Sequence, residues 1–326
     1  MRLDSTDKKL LGLLQIEFPL TEKPYADLGL NLGITEDEVI RRIGHLKLKG
    51  LVRQLSPVFD ARRLGYKTTL VAMRVAGAEM NKAARFIMEH PRISHGYERN
   101  HHFNLWLTLA IPGTVNVETE LKQLANTLNA EAVFSLPAIR IFKLRTYFNI
   151  DSDSPPTADS EIPGSAISQE ARLSSTDRQV ITALQQDLPL VSRPFAIMST
   201  HAGIDEPNFL ARCQSLLSRG IMRRFGAAIN HRGAGFAANA MTCWVVPTGK
   251  VETVGNKLAT LTEVSHCYER QTNPSWHHNL FVMIHGHTKE ACQKIADKVS
   301  VETGFTDYVM LFSVREFKKT RIKYLV

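Results

Sequence analysis

Cysteine is scarce in this 326-residue sequence: Cys213, Cys243, Cys267 and Cys292 lie far apart, and no Cys-x-x-Cys pair occurs. That argues against a disulfide framework, an iron–sulfur cluster or a structural zinc site. No apolar run approaches the roughly 20 residues that span a bilayer. The start, Met1-Arg2-Leu3-Asp4-Ser5-Thr6-Asp7, lacks an apolar signal core and carries acids where a signal peptide would not. A cytoplasmic protein without membrane contact is expected. Acids are also in deficit: 40 Lys and Arg against 32 Asp and Glu leave a formal charge of +8. Such an excess suits nucleic acid or a polyanionic small molecule equally.

What is present is repetition. Leu3-x-Ser5-Thr6-Asp7 recurs as Leu173-x-Ser175-Thr176-Asp177, Pro19-Leu20 as Pro189-Leu190, and Gly33-Ile34 as Gly203-Ile204, all 170 residues on. The offset becomes 171 at Tyr97-Glu98-Arg99 and Tyr268-Glu269-Arg270, then 175 at Asn104 and Asn279. A unit of about 150 residues has been duplicated in tandem. Residues 151–172 between the copies are acidic and rich in Ser and Pro, the composition of a flexible linker.

Each copy predicts two parts. Ser5-Thr6-Asp7 caps a helix with an apolar stripe, Pro24 opens a second, and Gly33 turns into a third that a Thr35/Glu38 capping box starts and Gly50 ends. Leu51–Leu55 follows as a wing strand. The second part reads strand (68–75), helix (81–89), strand (94–99), strand (103–111), helix (115–128) and strand (138–147), the β-α-β-β-α-β order. The fold class is therefore α+β: a tandem duplication of a winged helix-turn-helix and a ferredoxin-like domain. The expected units are 1–64, 65–150, 173–234 and 235–326, with the linker between the second and third.

Gly50-Leu51-Val52-Arg53 and Phe59-Asp60-Ala61-Arg62-Arg63-Leu64-Gly65-Tyr66 resemble the Lrp/AsnC regulators, and both copies show that architecture end to end. The hairpin after Tyr-Glu-Arg departs from them. It reads Asn100-His101-His102-Phe103-Asn104 in one copy and Trp276-His277-His278-Asn279 in the other, which is similar to the siroheme decarboxylases. Those enzymes usually pair two homologous subunits, and this chain resembles both fused. The resemblance implies removal of CO2 from two acetates of siroheme to give didecarboxysiroheme, in alternative haem or nitrite-reductase haem biosynthesis. It implies no cofactor and no metal beyond the substrate's own iron.

The residues suit that chemistry. Siroheme carries eight carboxylates on a flat apolar ring, so its pocket needs guanidinium and ammonium groups. Arg99, Arg270, Arg53, Arg223, Arg224, Arg140, Lys143 and Arg315, with Asn104 and Asn279, are the binding candidates. Protonating the carbon that loses CO2 needs an acid that titrates near neutrality. His101, His102, His277 and His278, supported by Tyr97 and Tyr268, are the catalytic candidates. His101 and His277 are favoured as proton donors, either one able to ligate the substrate iron. Trp106 and Phe281 read as core, and the alternating His285 and His287 as structural.

The residues leave a second reading open, a DNA-binding regulator of Lrp/AsnC type with a small-molecule or haem effector. Arg41, Arg42, Lys47 and Lys49 give the first recognition helix a basic face, whereas the second has only Arg212 and Arg219. Two unequal readers suit a symmetric operator poorly, which disfavours DNA. The expected partners are siroheme, the other half of the chain as an intrachain pseudo-dimer or a further copy in a homo-oligomer, and other haem-biosynthesis subunits.

Overall fold

Asp4, rather than Ser5, starts the first helix: its carboxylate accepts the Asp7 backbone N–H at 2.6 Å. The computed structural model describes residues 3–16, 18–144, 170–229 and 238–325. In the first copy α1 (Ser5–Ile16) buries Leu10, Leu11 and Leu14, α2 (Pro24–Leu32) ends at Gly33, and α3 (Glu36–Leu48) starts at Thr35. Gly33 sits at φ 68°, left-handed backbone that glycine enters without penalty, and the Thr35 side chain accepts from the Glu38 N–H. Then come β1 (Val52–Phe59), β2 (Tyr66–Val75), α4 (Met80–Glu89), β3 (Ile93–Arg99), β4 (Leu105–Pro112), α5 (Val117–Thr127) and β5 (Ala130–Leu144).

The second copy repeats the order: α6 (Ser175–Leu184), α7 (Pro194–Ala202), α8 (Glu206–Ser218), β6 (Met222–Ile229), β7 (Ala238–Trp244), α9 (Val251–Thr260), β8 (Val264–Arg270), β9 (Leu280–Gly286), α10 (Lys289–Thr303) and β10 (Tyr308–Lys319). The wing strands β1 and β6 pair with each other, antiparallel, with Leu55 opposite Ala227. The helices of both copies share one core that includes Leu10, Ile43, Phe195 and Phe209.

The other eight strands close one barrel in the order β10-β3-β4-β2-β5-β8-β9-β7. Closure comes from the last strand of each copy. Ala130–Pro137 of β5 pairs with β2 of its own copy, and Ala138–Leu144 continues onto β8 of the other. β10 does the same with β7 and then β3. The expected strand from 138 therefore begins eight residues earlier, because the first half of β5 already has a partner. Pro137 is tolerated at the last position of that ladder, opposite Thr69. The expected Arg145–Tyr147 end and linker residues 151–169 lie outside the described residues. Ala171, within the expected linker, donates its N–H to the Arg63 carbonyl and packs against the helical core.

Because each long strand leaves half its ladder in the other copy, residues 1–150 and 173–326 made together as separate chains should assemble one to one. Either half alone should self-associate or lose strand content. Light scattering after size exclusion and circular dichroism check this; a stable folded monomer of one half would contradict it.

Candidate active site

Side chains two apart on a strand share a face, so His95, Tyr97 and Arg99 line up along β3, as do His266, Tyr268 and Arg270 along β8. All six line a cavity of about 1070 Å³ between the two copies. Trp106, Phe281, Leu70 and Met241 supply apolar wall; Lys67, Arg62, Arg140, Arg223 and Lys319 supply cations. Behind each histidine stands a serine. Ser94 Oγ lies 2.8 Å from His95 Nδ1 and Ser265 Oγ 2.7 Å from His266 Nδ1, which leaves Nε2 as the nitrogen able to meet a ligand.

The arginines are the unusual groups. Arg99 Nη1 donates to the Leu311 carbonyl at 2.7 Å and Arg270 Nη1 to the Leu136 carbonyl at 2.8 Å. Each guanidinium lies over the tyrosine two residues before it, 5.2 Å and 4.8 Å from the ring centres. Both Nε atoms are buried without a hydrogen-bond partner. Among the described residues neither guanidinium meets a carboxylate, and burial pulls the Arg99 guanidinium down to about 10. A buried cation with unused donors is costly unless an anion comes to it.

The structure distributes the other expected residues differently. The four hairpin histidines are not among the residues that line the cavity; the hairpins follow directly on the Arg99 and Arg270 ends of β3 and β8 and gather around Trp276. His101 and His278 each pack on that indole, at 5.3 and 5.1 Å. His102 Nε2 is 3.5 Å from Arg74, and His277 is exposed. His277, His278 and Asp307 bring ligand-type atoms within 4.8 Å of one another, a grouping that exposed acids often form without an ion. Asn104 spends its whole amide on the Val75 N–H and carbonyl, and Asn279 does the same on Val246. These two lock the hairpins to the barrel.

Of the remaining cations, Lys143 is buried and donates to the Leu261 carbonyl, Arg315 pairs with Glu98, and Arg224 donates to the Gln15 carbonyl. None of the three is on the cavity wall. Arg53 binds Glu316 at 2.9 Å and lies close enough to His95 to affect its charge. Arg223 and Arg140 are on the wall, paired with Asp60 and Glu252 at 2.7 Å each. His95 and His266 were absent from the sequence-based candidates. The signal was there: both alternate with the Tyr and Arg that were chosen.

Burial, reinforced by nearby Lys319, pulls His95 down to about 4; burial with His285 and His95 pulls His266 to about 3. Both imidazoles are thus neutral near pH 7 in the free protein. The unfolded chain, with histidines near 6.5, takes up protons that the folded chain refuses. Their stabilising effect is complete above about pH 6.5 and falls as pH drops toward 4, by about 1.4 kcal/mol per pH unit for each group. Urea midpoints measured across that range should fall less steeply in His95→Gln/His266→Gln than in the parent. Equal slopes would contradict the neutral, buried assignment.

Comparison with known proteins agrees with this architecture. A family model described as an AsnC-like ligand binding domain matches residues 63–143 and 233–318, and a siroheme decarboxylase NirDL-like HTH domain matches 7–53 and 177–223. A siroheme decarboxylase of Hydrogenobacter thermophilus is 36% identical over 97% of this chain and 94% of its own length. A siroheme decarboxylase beta subunit of Methanosarcina barkeri is 43% identical over 46% of this chain and 99% of its own. The crystal structure of the siroheme decarboxylase NirDL in co-complex with an iron-uroporphyrin III analogue superposes with a TM-score of 0.75 at 32% identity, covering 99% of this chain and 95% of that one. The chain belongs to the siroheme decarboxylase family, as a fusion of two subunit-like halves.

Proposed function

We propose that this siroheme decarboxylase holds its substrate in the cavity between the two copies and removes CO2 from two acetate side chains there, yielding didecarboxysiroheme. One observation carries the placement: Arg99 and Arg270 are buried on the wall of a single cavity, and among the described residues neither has a carboxylate of its own. Siroheme brings eight. A carboxylate on each guanidinium supplies the missing countercharge and engages donors that now have no partner. The apolar wall receives the ring faces. We take the iron that siroheme carries as the only metal in the reaction.

The acids we assign are His95 and His266, in place of the hairpin pairs, because they line the same cavity as the arginines. Loss of CO2 leaves an electron pair on the former acetate methylene, where the conjugated ring spreads it. A proton then makes the methyl group. Neutral imidazoles are poor donors for that step, but the substrate corrects this. Its carboxylates, set among His95 and His266, favour the charged form and offset the burial that opposes it. Binding should therefore draw protons into the site and load the acid when substrate is present. Tyr97 and Tyr268, stacked under the guanidiniums, fix the clamp; burial keeps the Tyr268 phenol protonated.

Anaerobic incubation with siroheme should give a product lighter by two CO2, with no added cofactor. Arg99→Gln and Arg270→Gln should each weaken siroheme binding by about 10–100-fold, the value of a charge-assisted bond. Calorimetry in buffers of different ionisation enthalpy should show net proton uptake. Unaltered affinity in both variants would move the substrate elsewhere. Unconverted siroheme alongside sequence-selective DNA binding would favour a regulator.

A further inference from the structure

The second copy carries an imidazole that the first lacks. Backbone pairing sets the correspondence: Ala110 N donates to Arg92 O, and His285 N to Glu263 O, each at 2.9 Å. His285 therefore stands where the first copy has Ala110. The sequence reads it, alternating with His287, as structural, but the structure joins it to the site. Ser265 Oγ, already 2.7 Å from His266 Nδ1, is 2.6 Å from His285 Nε2. Ser265 is buried, and all three residues line the cavity. In the first copy, among the described residues, His95 is the one imidazole within reach of the Ser94 hydroxyl.

A serine hydroxyl has one proton to give and lone pairs to receive another. Held between two imidazole nitrogens, it can donate to one while accepting from the other. We propose that Ser265 and His285 form a proton relay behind His266, so that the two halves of the site are unequal: the second delivers protons from a linked pair of imidazoles, the first from His95 alone. The relay rests on the reading that His95 and His266 protonate the decarboxylated carbon in this cavity.

The step balances. The C–C bond to the carboxylate breaks, CO2 leaves, and the electron pair stays on the methylene carbon. His266 gives its Nε2 proton to that carbon and a C–H bond forms. In this half the proton that substrate binding draws in rests on His285, as the imidazolium, rather than on His266: Ser265 passes its hydroxyl proton to His266 Nδ1, and His285 passes its Nε2 proton to Ser265. The negative charge left by CO2 and the positive charge of His285 cancel; a solvent proton then enters at the vacated His266 Nε2, and the Nδ1 proton returns through Ser265 to His285, which restores both. Lys319, Arg270 and His95 also face His266 and disfavour a lasting charge on it. Keeping the reserve charge one hydroxyl further from those cations is what the relay provides.

The test uses the full chain in single turnover with siroheme, resolving the first and second decarboxylations by rapid quench and mass spectrometry. His285→Gln keeps a partner for Ser265 but holds no transferable proton. It should bind siroheme like the parent while one decarboxylation slows by about tenfold or more, with monodecarboxylated siroheme accumulating. Ser265→Ala should reproduce this. His285→Ala should recover with added imidazole, which a purely structural role would not predict. Parental rates for both steps in His285→Gln overturn the relay, as does a loss that neither Ser265→Ala reproduces nor imidazole restores. Failure of the underlying cavity reading is separately visible, as siroheme binding that Arg99→Gln and Arg270→Gln leave untouched.

Discussion

The exchange of final strands is the constraint from which the rest follows. β5 and β10 are each long enough to pair first within their own copy and then with the other. A four-stranded ferredoxin-like sheet has two open edges; the exchange uses all four edges of two such sheets and closes a barrel. Closure sets the inward faces of the two sheets against each other, and Trp106, Phe134, Phe281 and Trp276 fill one part of the space between them. The remainder is cavity. The pseudo-two-fold that closes the barrel also brings His-x-Tyr-x-Arg from β3 and from β8 to the same space, which neither copy would enclose alone.

Electrostatics then separate the site from the scaffold. Several buried or half-buried charges are matched by a countercharge: Asp177 with Arg219, Asp60 with Arg223, Glu120 with Arg92. Arg99 and Arg270, like Arg224 and Arg321, are held by carbonyls instead, but these two stand on the cavity wall, over the faces of tyrosines. An unpaired buried cation detracts from stability, and two at symmetric positions on one cavity detract twice. On the proposed placement, a polyanionic substrate offsets that cost on binding, which links the apparent stability of the fold to its affinity for substrate through the same two guanidiniums.

The repeat, the helix-turn-helix elements and the β-α-β-β-α-β order were legible because period, caps and Gly turns act within short stretches of chain. The strand exchange was not. Pairing of Ala138 with Arg270 joins residues 132 apart, and nothing local to either records it. The site was legible in part. Tyr97, Arg99, Tyr268 and Arg270 were singled out because they recur, and the same recurrence drew attention to the hairpin histidines. Recurrence does not distinguish chemistry from construction: Asn104 and Asn279 recur because each closes a hairpin onto a strand. Alternation is the better guide here, since it marks the residues that share a wall. Extended two residues back from Tyr97 and Tyr268, it reaches His95 and His266.

The helical layer shows how a regulator's architecture serves an enzyme. Arg42, on the first recognition helix, is held by Asp4, Asp7 and Glu38, and Lys47 by Asp187 of the second copy. On the second, Arg212 and Arg219 both face Asp177. Cations committed to internal carboxylates have little left for phosphates, whose attraction depends on releasing counterions to otherwise available Lys and Arg. Meanwhile β1 and β6 are joined to each other, and residues at their ends, Val58 to Arg62 and Arg223, complete the cavity wall. Elements that read DNA in a regulator here bind one copy to the other and close the cavity we propose for siroheme.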